Sequence, residues 1–442
     1  MFLKEKNMNF ETNKKMRFFL TAFGLCLATL ATAALKPALR AADPNEGTFY
    51  NGSYYYEIIS KADKTVRFAI DYINDATPYS GDVVVPAKVS NDGSDYTVVE
   101  IGKFCFDDDA VNLKSVKLPS TIRKIDEWSF YGSYITELDL PAGLQEIETN
   151  AFCNSNLKSL SIPGSCVKLG KEAFQANKQL DTLIVGEGID SISTGLFSGC
   201  IKLKKVTLPT TLHKISQYAF YECSSLDSIS IPESVDSIGK YAFAKCEKLD
   251  HVIVPNSVKY IEKGILIACT SLTDVTLPEG FDTLPEETFS YCASLPKYKV
   301  NEGVKIIGKR AFEYCLSLSE VTISKDVTAL EEAAFDKCSA LSKIYCECLV
   351  PPTGADFPSN VYTDATLYVP EKAVELYRQA EGWKKFSKIE VDPNMSGVDL
   401  VHADDDVEAE YYNLNGVRVN DPTQAGIYIK RMGSKIIKVL VK

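Results

Sequence analysis

The segment Leu208–Leu226 reads LPTTLHKISQYAFYECSSL, and its pattern returns in the segment Ile231–Leu249, which reads IPESVDSIGKYAFAKCEKL. Both copies contain Ala-Phe followed three residues later by Cys. The Phe slot recurs at intervals of 22 to 24 residues, at Phe106, Phe130, Phe152, Phe174, Phe197, Phe220, Phe243, Leu266, Phe289, Phe312 and Phe335. A fixed period of this size predicts a solenoid of about eleven stacked repeats.

Each repeat also contains a short alternation of apolar and polar residues that ends at a proline. Val206 and Leu208 are two apart, so they predict a short strand with one buried face, and Pro209 ends it because proline has no N–H to donate. Two apolar residues three apart, such as Val235 and Ile238, then lead into the Phe slot. We expect this return segment to be a short strand and a tight helical turn. Each Phe ring would fill the space between neighbouring coils and contribute roughly 1.5–3 kcal/mol.

The frame Leu-x-x-Ile-x-Leu-Pro…Ile-Gly-x-x-Ala-Phe-x-x-Cys resembles the BspA-like branch of the leucine-rich repeat family over Ile101–Leu341. The predicted fold is therefore a leucine-rich repeat solenoid, mainly β with short helical turns, over residues 101–345. The resemblance implies an extracellular bacterial recognition or adhesion protein. One repeat departs from the frame, because Leu266 occupies the Phe slot. The smaller side chain there is expected either to bend the stack or to leave a compensated gap.

Residues 1–42 are predicted to be a signal peptide and leader. The basic stretch Lys14–Arg17 precedes the apolar run Phe18–Ala34, and small residues follow. Cleavage after Ala33 or after Ala41 fits this pattern. Cys26 follows a leucine rather than a small residue, which disfavours a lipoprotein site. We therefore expect a secreted protein, and the resemblance to BspA-like proteins implies the cell surface or outer membrane of a Gram-negative bacterium.

The net charge of the protein disfavours partners that are themselves negatively charged. It is -11 for the whole sequence, and removal of residues 1–33 takes away five bases and two acids, which moves it to about -14. An acidic exterior disfavours nucleic acid and anionic membranes as partners. We expect a soluble monomer.

A solenoid exposes an apolar surface at each end, so both ends are expected to be capped. Residues 45–100 are predicted to form an amino-terminal β cap, with a hairpin turn at Asn51-Gly52. The tyrosines of Tyr54–Tyr56 could instead bind aromatic or sugar ligands. Residues 346–391 are predicted to form the other cap, with a strand at Thr366–Val369 and a helix at Glu371–Ala380.

Residues 392–406 have the composition of a linker. The acidic run Asp404–Asp406 suggests calcium, but it lacks the Gly and Glu spacing of a calcium loop. Residues 407–442 predict a small β module, with a turn at Asn415-Gly416. They resemble the carboxy-terminal sorting domains of Bacteroidetes type IX secretion substrates, which implies export across the outer membrane and surface attachment. The alternative is an accessory β domain.

Seven of the thirteen cysteines occupy one slot, three residues after the Phe slot. Stacked at about 4.8 Å, they would fall inside the Cα range of disulfides, about 4.4–6.8 Å. Side chains in register point in parallel, however, which is poor disulfide geometry. We favour a ladder of buried thiols, each a small apolar group or a weak donor to a loop carbonyl, over a disulfide ladder. The seven are Cys200, Cys223, Cys246, Cys269, Cys292, Cys315 and Cys338.

Enzymatic motifs are absent from the sequence. It contains three histidines, no P-loop, no His-Glu-x-x-His and no Gly-x-Ser-x-Gly. We therefore predict a non-catalytic binding protein without cofactor or metal. Two alternatives remain: a secreted hydrolase using acidic residues, which would need a walled cleft, and a structural scaffold of the envelope.

The predicted binding surface is the exposed side of the longer strands, where small, β-branched and a few apolar or basic residues alternate with the buried ones. Exposed apolar and aromatic groups on such a face favour a protein or glycan partner. The alternative is that Ser and Thr simply suit a solvated sheet. The candidate binding residues are Ile184, Thr207, Ser230, His251, Ile253, Thr276, Lys297, Lys299, Thr322, Lys343 and Tyr345.

Overall fold

The structure is a computed structural model that describes residues 45–71 and 78–392, together with four strands between residues 410 and 441. The chain separates into two compact units, Met1–Met395 and Ser396–Lys442. The predicted signal peptide, most of the predicted linker and the acidic run Asp404–Asp406 lie outside the described residues.

The first unit is a β-solenoid of about 13 turns of about 23 residues, which confirms the predicted fold class. Two parallel sheets follow its length. The longer strands form the front sheet: Leu113–Lys117, Ser159–Ile162, Thr182–Val185, Lys205–Thr207, His251–Ile253, Asp274–Thr276, Lys297–Lys299, Glu320–Ile323 and Lys343–Cys346. Two-residue strands form the back sheet: Lys124–Ile125, Glu146–Ile147, Lys168–Leu169, Ser191–Ile192, Lys214–Ile215, Ser237–Ile238, Tyr260–Ile261, Thr283–Leu284, Ile306–Ile307 and Ala329–Leu330.

The Phe slot forms the buried row that the period predicts. The rings stack at centroid distances of 4.8–5.7 Å from Phe106 to Phe243, and Phe289, Phe312 and Phe335 resume the row at 5.4 and 5.1 Å. Leu266 is fully buried and interrupts the run of ring contacts. The buried core therefore has the period of the sequence repeat, with one side chain from each coil in the row.

The segment around the Phe slot is the tight turn that the sequence predicts, closed by bonds such as that from the Cys246 N–H to the Phe243 carbonyl at 3.2 Å, and it does not continue into a helix. Tyr241 and Lys245, two residues before and after Phe243, have positive φ values of 57° and 58°. A left-handed residue on each side stops a right-handed helix from continuing. The strained backbone is held by bonds between coils, for example from the Phe243 N–H to the Ile265 carbonyl at 3.0 Å.

The thiols form the predicted ladder. Every described cysteine is buried and free of disulfide bonds. Each thiol in the slot donates to the carbonyl of the residue 26 positions earlier, as from Cys246 Sγ to Phe220 O at 3.3 Å and from Cys338 Sγ to Phe312 O at 2.9 Å. These bonds link the turn of one coil to the next, so the interpretation as buried donors is confirmed.

Six strands lie in the region predicted to be the amino-terminal cap: Thr48–Asn51, Tyr54–Ser60, Thr65–Ala69, Gly81–Val84, Lys88–Asn91 and Ser94–Ile101. The first two form an antiparallel hairpin around Asn51-Gly52. Ser94–Ile101 pairs with the first strand of the back sheet, and Gly81–Val84 with the first strand of the front sheet. Tyr56 is fully buried with its ring 5.6 Å from that of Phe68. This region thus continues both sheets.

The carboxy-terminal part of this unit extends the solenoid beyond the predicted repeats. The strands Thr366–Val369 and Lys388–Val391 continue the front sheet in parallel. Phe357 stacks on Phe335 at 5.2 Å, so it takes the place of one more Phe slot. The predicted strand at 366–369 is present, whereas the predicted helix is divided between two short helices. The helices are α-helices Ser359–Asp364 and Val374–Gln379 and 3-10 helices Glu371–Ala373 and Trp383–Lys385.

The second unit contains a four-stranded antiparallel sheet in the order Arg418–Val419, Glu410–Tyr412, Gly426–Met432, Lys435–Val441. The predicted turn at Asn415-Gly416 lies outside the described residues. No helix in the described part of the chain is both long and apolar enough to cross a membrane.

Candidate functional site

The front sheet places most of the candidate residues together on its outer face. Nine of the eleven are exposed, and Thr322 and Tyr345 are partly buried. Ten lie on strands of the front sheet. Ser230 was predicted to lie on one of the longer strands, but its segment has no strand pairing, so it does not join the other candidates in a ladder.

Strand register fixes which candidates are neighbours. Lys299 lies beside Thr322 and Thr322 beside Tyr345, while Lys297 lies beside Glu320 and Glu320 beside Lys343. In two other blocks of the sheet, Ile184 lies beside Thr207, and Ile253 beside Thr276. The candidate face is therefore three blocks of strands rather than one uninterrupted ladder.

Tyr368 extends the third block, and the sequence reasoning missed it. Its ring stacks on that of Tyr345 with centroids 4.8 Å apart and an angle of 14°. Tyr368 lies 23 residues after Tyr345, at the repeat interval, so the period could have found it. The repeat frame no longer matches around Pro351-Pro352, so the predicted candidates end at Tyr345.

Two exposed isoleucines are the least expected residues of this face. Ile184 and Ile253 have 46% and 66% of their surface exposed. Their strand neighbours Thr207 and Thr276 have small side chains that cover little of them. Exposed β-branched apolar groups on a flat sheet lose water favourably when another surface covers them.

A groove of about 780 Å³ separates the second block from the third, between the strands Asp274–Thr276 and Lys297–Lys299. The two strands do not pair, although they are consecutive in the stack. Pro296 supplies one reason. At the equivalent position, Thr273 donates its N–H to the Asp250 carbonyl and Ser319 donates to the Pro296 carbonyl, at 2.9 Å each. Proline has no N–H, so the matching bond to the preceding coil cannot form.

Two other residues keep the groove open and bounded. Tyr298 points inward, with its ring 4.8 Å from that of Phe289, where neighbouring strands have valine. The Asn301 side chain closes the far end by donating from Nδ2 to the Leu277 carbonyl at 2.9 Å. Asn301 stands where most repeats have the proline that ends the strand, so this repeat departs from the frame at both ends of its strand.

Acidic groups predominate in the groove. Glu302 pairs with Lys325 at 3.2 Å and Lys299 with Glu347 at 3.5 Å. Within the described residues, Asp274, Glu279, Glu320 and Lys297 line the groove without an ion pair within 4 Å. Three acids against one base leave the groove attractive to cations.

The hydrolase alternative called for two acids converging in a walled cleft. Glu172 and Glu313 are carboxyl groups whose pKa is raised because burial disfavours the charged form. They belong to the coils of Phe174 and Phe312, and so do not form a pair. The acids of the groove stand on the face of an open sheet.

One acidic cluster in the described part of the chain was not predicted. Single carboxylate oxygens of Asp107, Asp108 and Asp109 lie within 4.8 Å of one another. Asp107 Oδ1 accepts a hydrogen bond from the Asp109 N–H at 3.2 Å, and all three residues have further interactions. The cluster is thus part of the turn that follows Phe106.

Comparison with known proteins places this geometry in a family. The description "BspA type Leucine rich repeat region" matches residues 99–227 and 213–342, in six copies. A leucine-rich repeat protein from Bacteroides ovatus ATCC 8483 is 25% identical, with 78% of this chain and 99% of that chain covered and a TM-score of 0.54. The pneumococcal vaccine antigen PcpA is 16% identical, with 79% and 100% covered and a TM-score of 0.50, and shows the fold alone. No curated protein matches the sequence.

Proposed function

Because the chain belongs to the BspA-type leucine-rich repeat family, we propose that it is an extracellular binding protein that recognises a protein or glycan partner through the outer face of its front sheet. The observation that carries the proposal is the exposure of Ile184 and Ile253 in the middle of that face. A strand that only needed to stay soluble would have polar residues there, as the alternative of a solvated Ser/Thr face requires. Exposed apolar groups on a polar face mark sites of interaction with other molecules.

The outer face of the front sheet is also accessible and extended enough for contact with a large partner. Thr207 and Thr276 leave room beside the isoleucines, so a flat partner can approach the backbone. Lys343 and the stacked rings of Tyr345 and Tyr368 supply charge and aromatic area at one end. Aromatic side chains are enriched in interfaces relative to other surfaces.

Location outside the inner membrane is part of this proposal. The pattern of residues 1–42 supports export, and the likeness of residues 407–442 to sorting domains supports attachment at the outer membrane. The mature amino terminus, determined by mass spectrometry of the protein recovered from cells, should begin after Ala33 or Ala41. Recovery of an intact Met1 or Met16 from the cytoplasm would contradict it.

The binding experiment is an array of extracellular matrix proteins and glycans probed with the mature protein. For a partner found in this way, Ile184→Asp and Ile253→Asp should each weaken binding by about tenfold or more, since each places a charge against the interface. Val167→Asp and Lys178→Glu are matched controls, because both residues are exposed and lie outside the front strands. Unchanged affinity in both front-face variants would move the site elsewhere on the molecule.

A further inference from the structure

The groove beside Pro296 exposes two unpaired strand edges. In the front sheet, alternate residues bond to the preceding and the following coil, as Val300 N–H does to the Thr322 carbonyl at 2.9 Å. By this alternation, the backbone of Lys297 and Lys299 points toward the strand Asp274–Thr276, and that of Val275 points back. Within the described residues no ladder joins the two strands, and the Lys297 N–H lacks the bond to the preceding coil that the Asp274 N–H makes with the Asp250 carbonyl at 3.3 Å.

Unpaired strand edges are templates for another strand. A row of free N–H and C=O groups pairs with any extended chain that can approach it, and proteins normally cover or twist such edges. Lys297–Lys299 is the edge strand of a five-stranded sheet, so an added strand would extend an ordered surface. Strands rise about 3.3 Å per residue, so about three or four residues of a ligand would pair here.

The side chains of the groove select among extended ligands. Asp274, Glu279 and Glu320 outnumber Lys297 among the groups without an ion pair, so basic side chains are favoured. Among the described residues, Tyr298 is the one aromatic residue lining the groove, and its ring is turned inward with 8% of the residue exposed. A sugar would therefore find no ring to stack on, whereas a peptide backbone would find donors and acceptors.

We propose that this groove binds an extended basic peptide segment, which adds as a strand to the free edge of Lys297–Lys299 and places its cationic side chains against Asp274 and Glu320. The proposal rests on the proposed function and identifies the partner as a protein. Backbone pairing supplies affinity and the acidic side chains supply specificity, as in other cases of strand addition.

The test uses the mature protein and labelled peptides of about eight residues in which Lys and Val alternate. Fluorescence anisotropy in about 0.15 M salt measures binding. A peptide of the same charge with alternate backbone nitrogens methylated cannot donate to a strand edge, so we expect it to bind at least about tenfold more weakly. A peptide with Glu in place of Lys should bind more weakly still. Equal affinity for the methylated and unmethylated peptides would reveal charge attraction alone and overturn the proposal.

Two substitutions locate the binding. Pro296→Ser restores an N–H that can reach the Thr273 carbonyl, so the strands should close and peptide affinity should fall at least about tenfold with the thermal midpoint unchanged or raised. Asp274→Asn should reduce affinity and its dependence on salt, while Asp139→Asn, elsewhere on the front side, should not. Unaltered peptide binding in both Pro296→Ser and Asp274→Asn would refute the site.

The outcomes distinguish peptide binding in the groove from partner binding on the outer face of the front sheet. If a partner found on the array is lost by Ile253→Asp but retained by Pro296→Ser, the front face binds and the groove is not its peptide site. If a glycan competes with the peptide for the groove, strand addition is wrong. Loss of both partner and peptide in Pro296→Ser supports both proposals.

Discussion

Replacement of Phe243 by alanine tests the core of the solenoid most directly. Its side chain is 1% exposed and its ring lies nearly parallel to that of Phe220, with centroids 5.6 Å apart. On its other side stands Leu266, so the ring has one aromatic neighbour in the row rather than two. Truncation removes the buried ring and leaves a cavity, which costs about 3–5 kcal/mol of unfolding free energy.

A second truncation sharpens the prediction. Phe152 has a ring on each side, Phe130 at 4.8 Å and Phe174 at 5.1 Å. An aromatic pair contributes about 0.5–1.5 kcal/mol beyond the area it buries. Phe152→Ala should therefore cost more than Phe243→Ala by about that amount.

Urea denaturation followed by far-ultraviolet circular dichroism measures both variants. Tryptophan fluorescence adds a local probe, because Trp128 lies near the amino-terminal end of the repeats and Trp383 lies in the 3-10 helix Trp383–Lys385. Agreement between the two signals would justify two-state analysis, which long repeat arrays can violate. Thr276→Ala, on the exposed face, is the control and should change stability by less than about 0.5 kcal/mol. A loss below about 1 kcal/mol for Phe243→Ala would refute the buried row.

Three further predictions follow from the coil contacts and from the last module. Burial raises the pKa of Cys200 and Cys269 to about 12, and free thiols titrate near 8.5, so their contribution to stability is complete below about pH 8.5 and is lost as the pH rises toward 12. Urea midpoints at pH 7 and 10 should show this, and the Cys200→Ala variant should lose less stability over that range; an identical loss would contradict it. Gly239→Ala should cost about 1–3 kcal/mol, because a Cβ there would lie 2.5 Å from the Gln217 backbone nitrogen, and an unchanged urea midpoint would show that the coils can separate. Deletion of residues 407–442 should trap the protein in the periplasm, as measured by cell fractionation, and normal surface display would leave only the accessory-domain interpretation.

The sequence predicted the parts of the fold that repeat. The spacing of Phe220 and Phe243 located the buried row, because a ring in every coil can be covered only by the ring of the next coil. Alternation at Val206 and Leu208 located the strand Lys205–Thr207 and the face that packs on the core. The position of Cys246 in its slot predicted a buried thiol rather than a disulfide, since equivalent side chains in a stack point the same way. Each of these conclusions depends on one local pattern repeated many times.

The candidate site was only partly predictable. Alternation placed Ile184 and Ile253 on the exposed face correctly, because a two-residue period decides which side of a strand is buried. It could not show that Ser230 falls outside the ladder or that the face divides into blocks. Strand pairing depends on the backbones of two neighbouring coils, so the residues of one strand do not show whether that strand is paired.

What the sequence by itself determined is thus the solenoid, its row of rings and the residues that face outward, because burial of apolar side chains at a fixed period admits one arrangement. The tertiary structure alone decided the left-handed turns at Tyr241 and Lys245, the added coil at Phe357 and the groove beside Pro296. Those features arise where the backbone of one coil meets that of the next. Hydrogen bonds between coils compensate the strain of the left-handed turns, whereas at Pro296 the bond between coils cannot form because proline has no N–H. The groove proposed to bind a peptide lies where that bond fails to form.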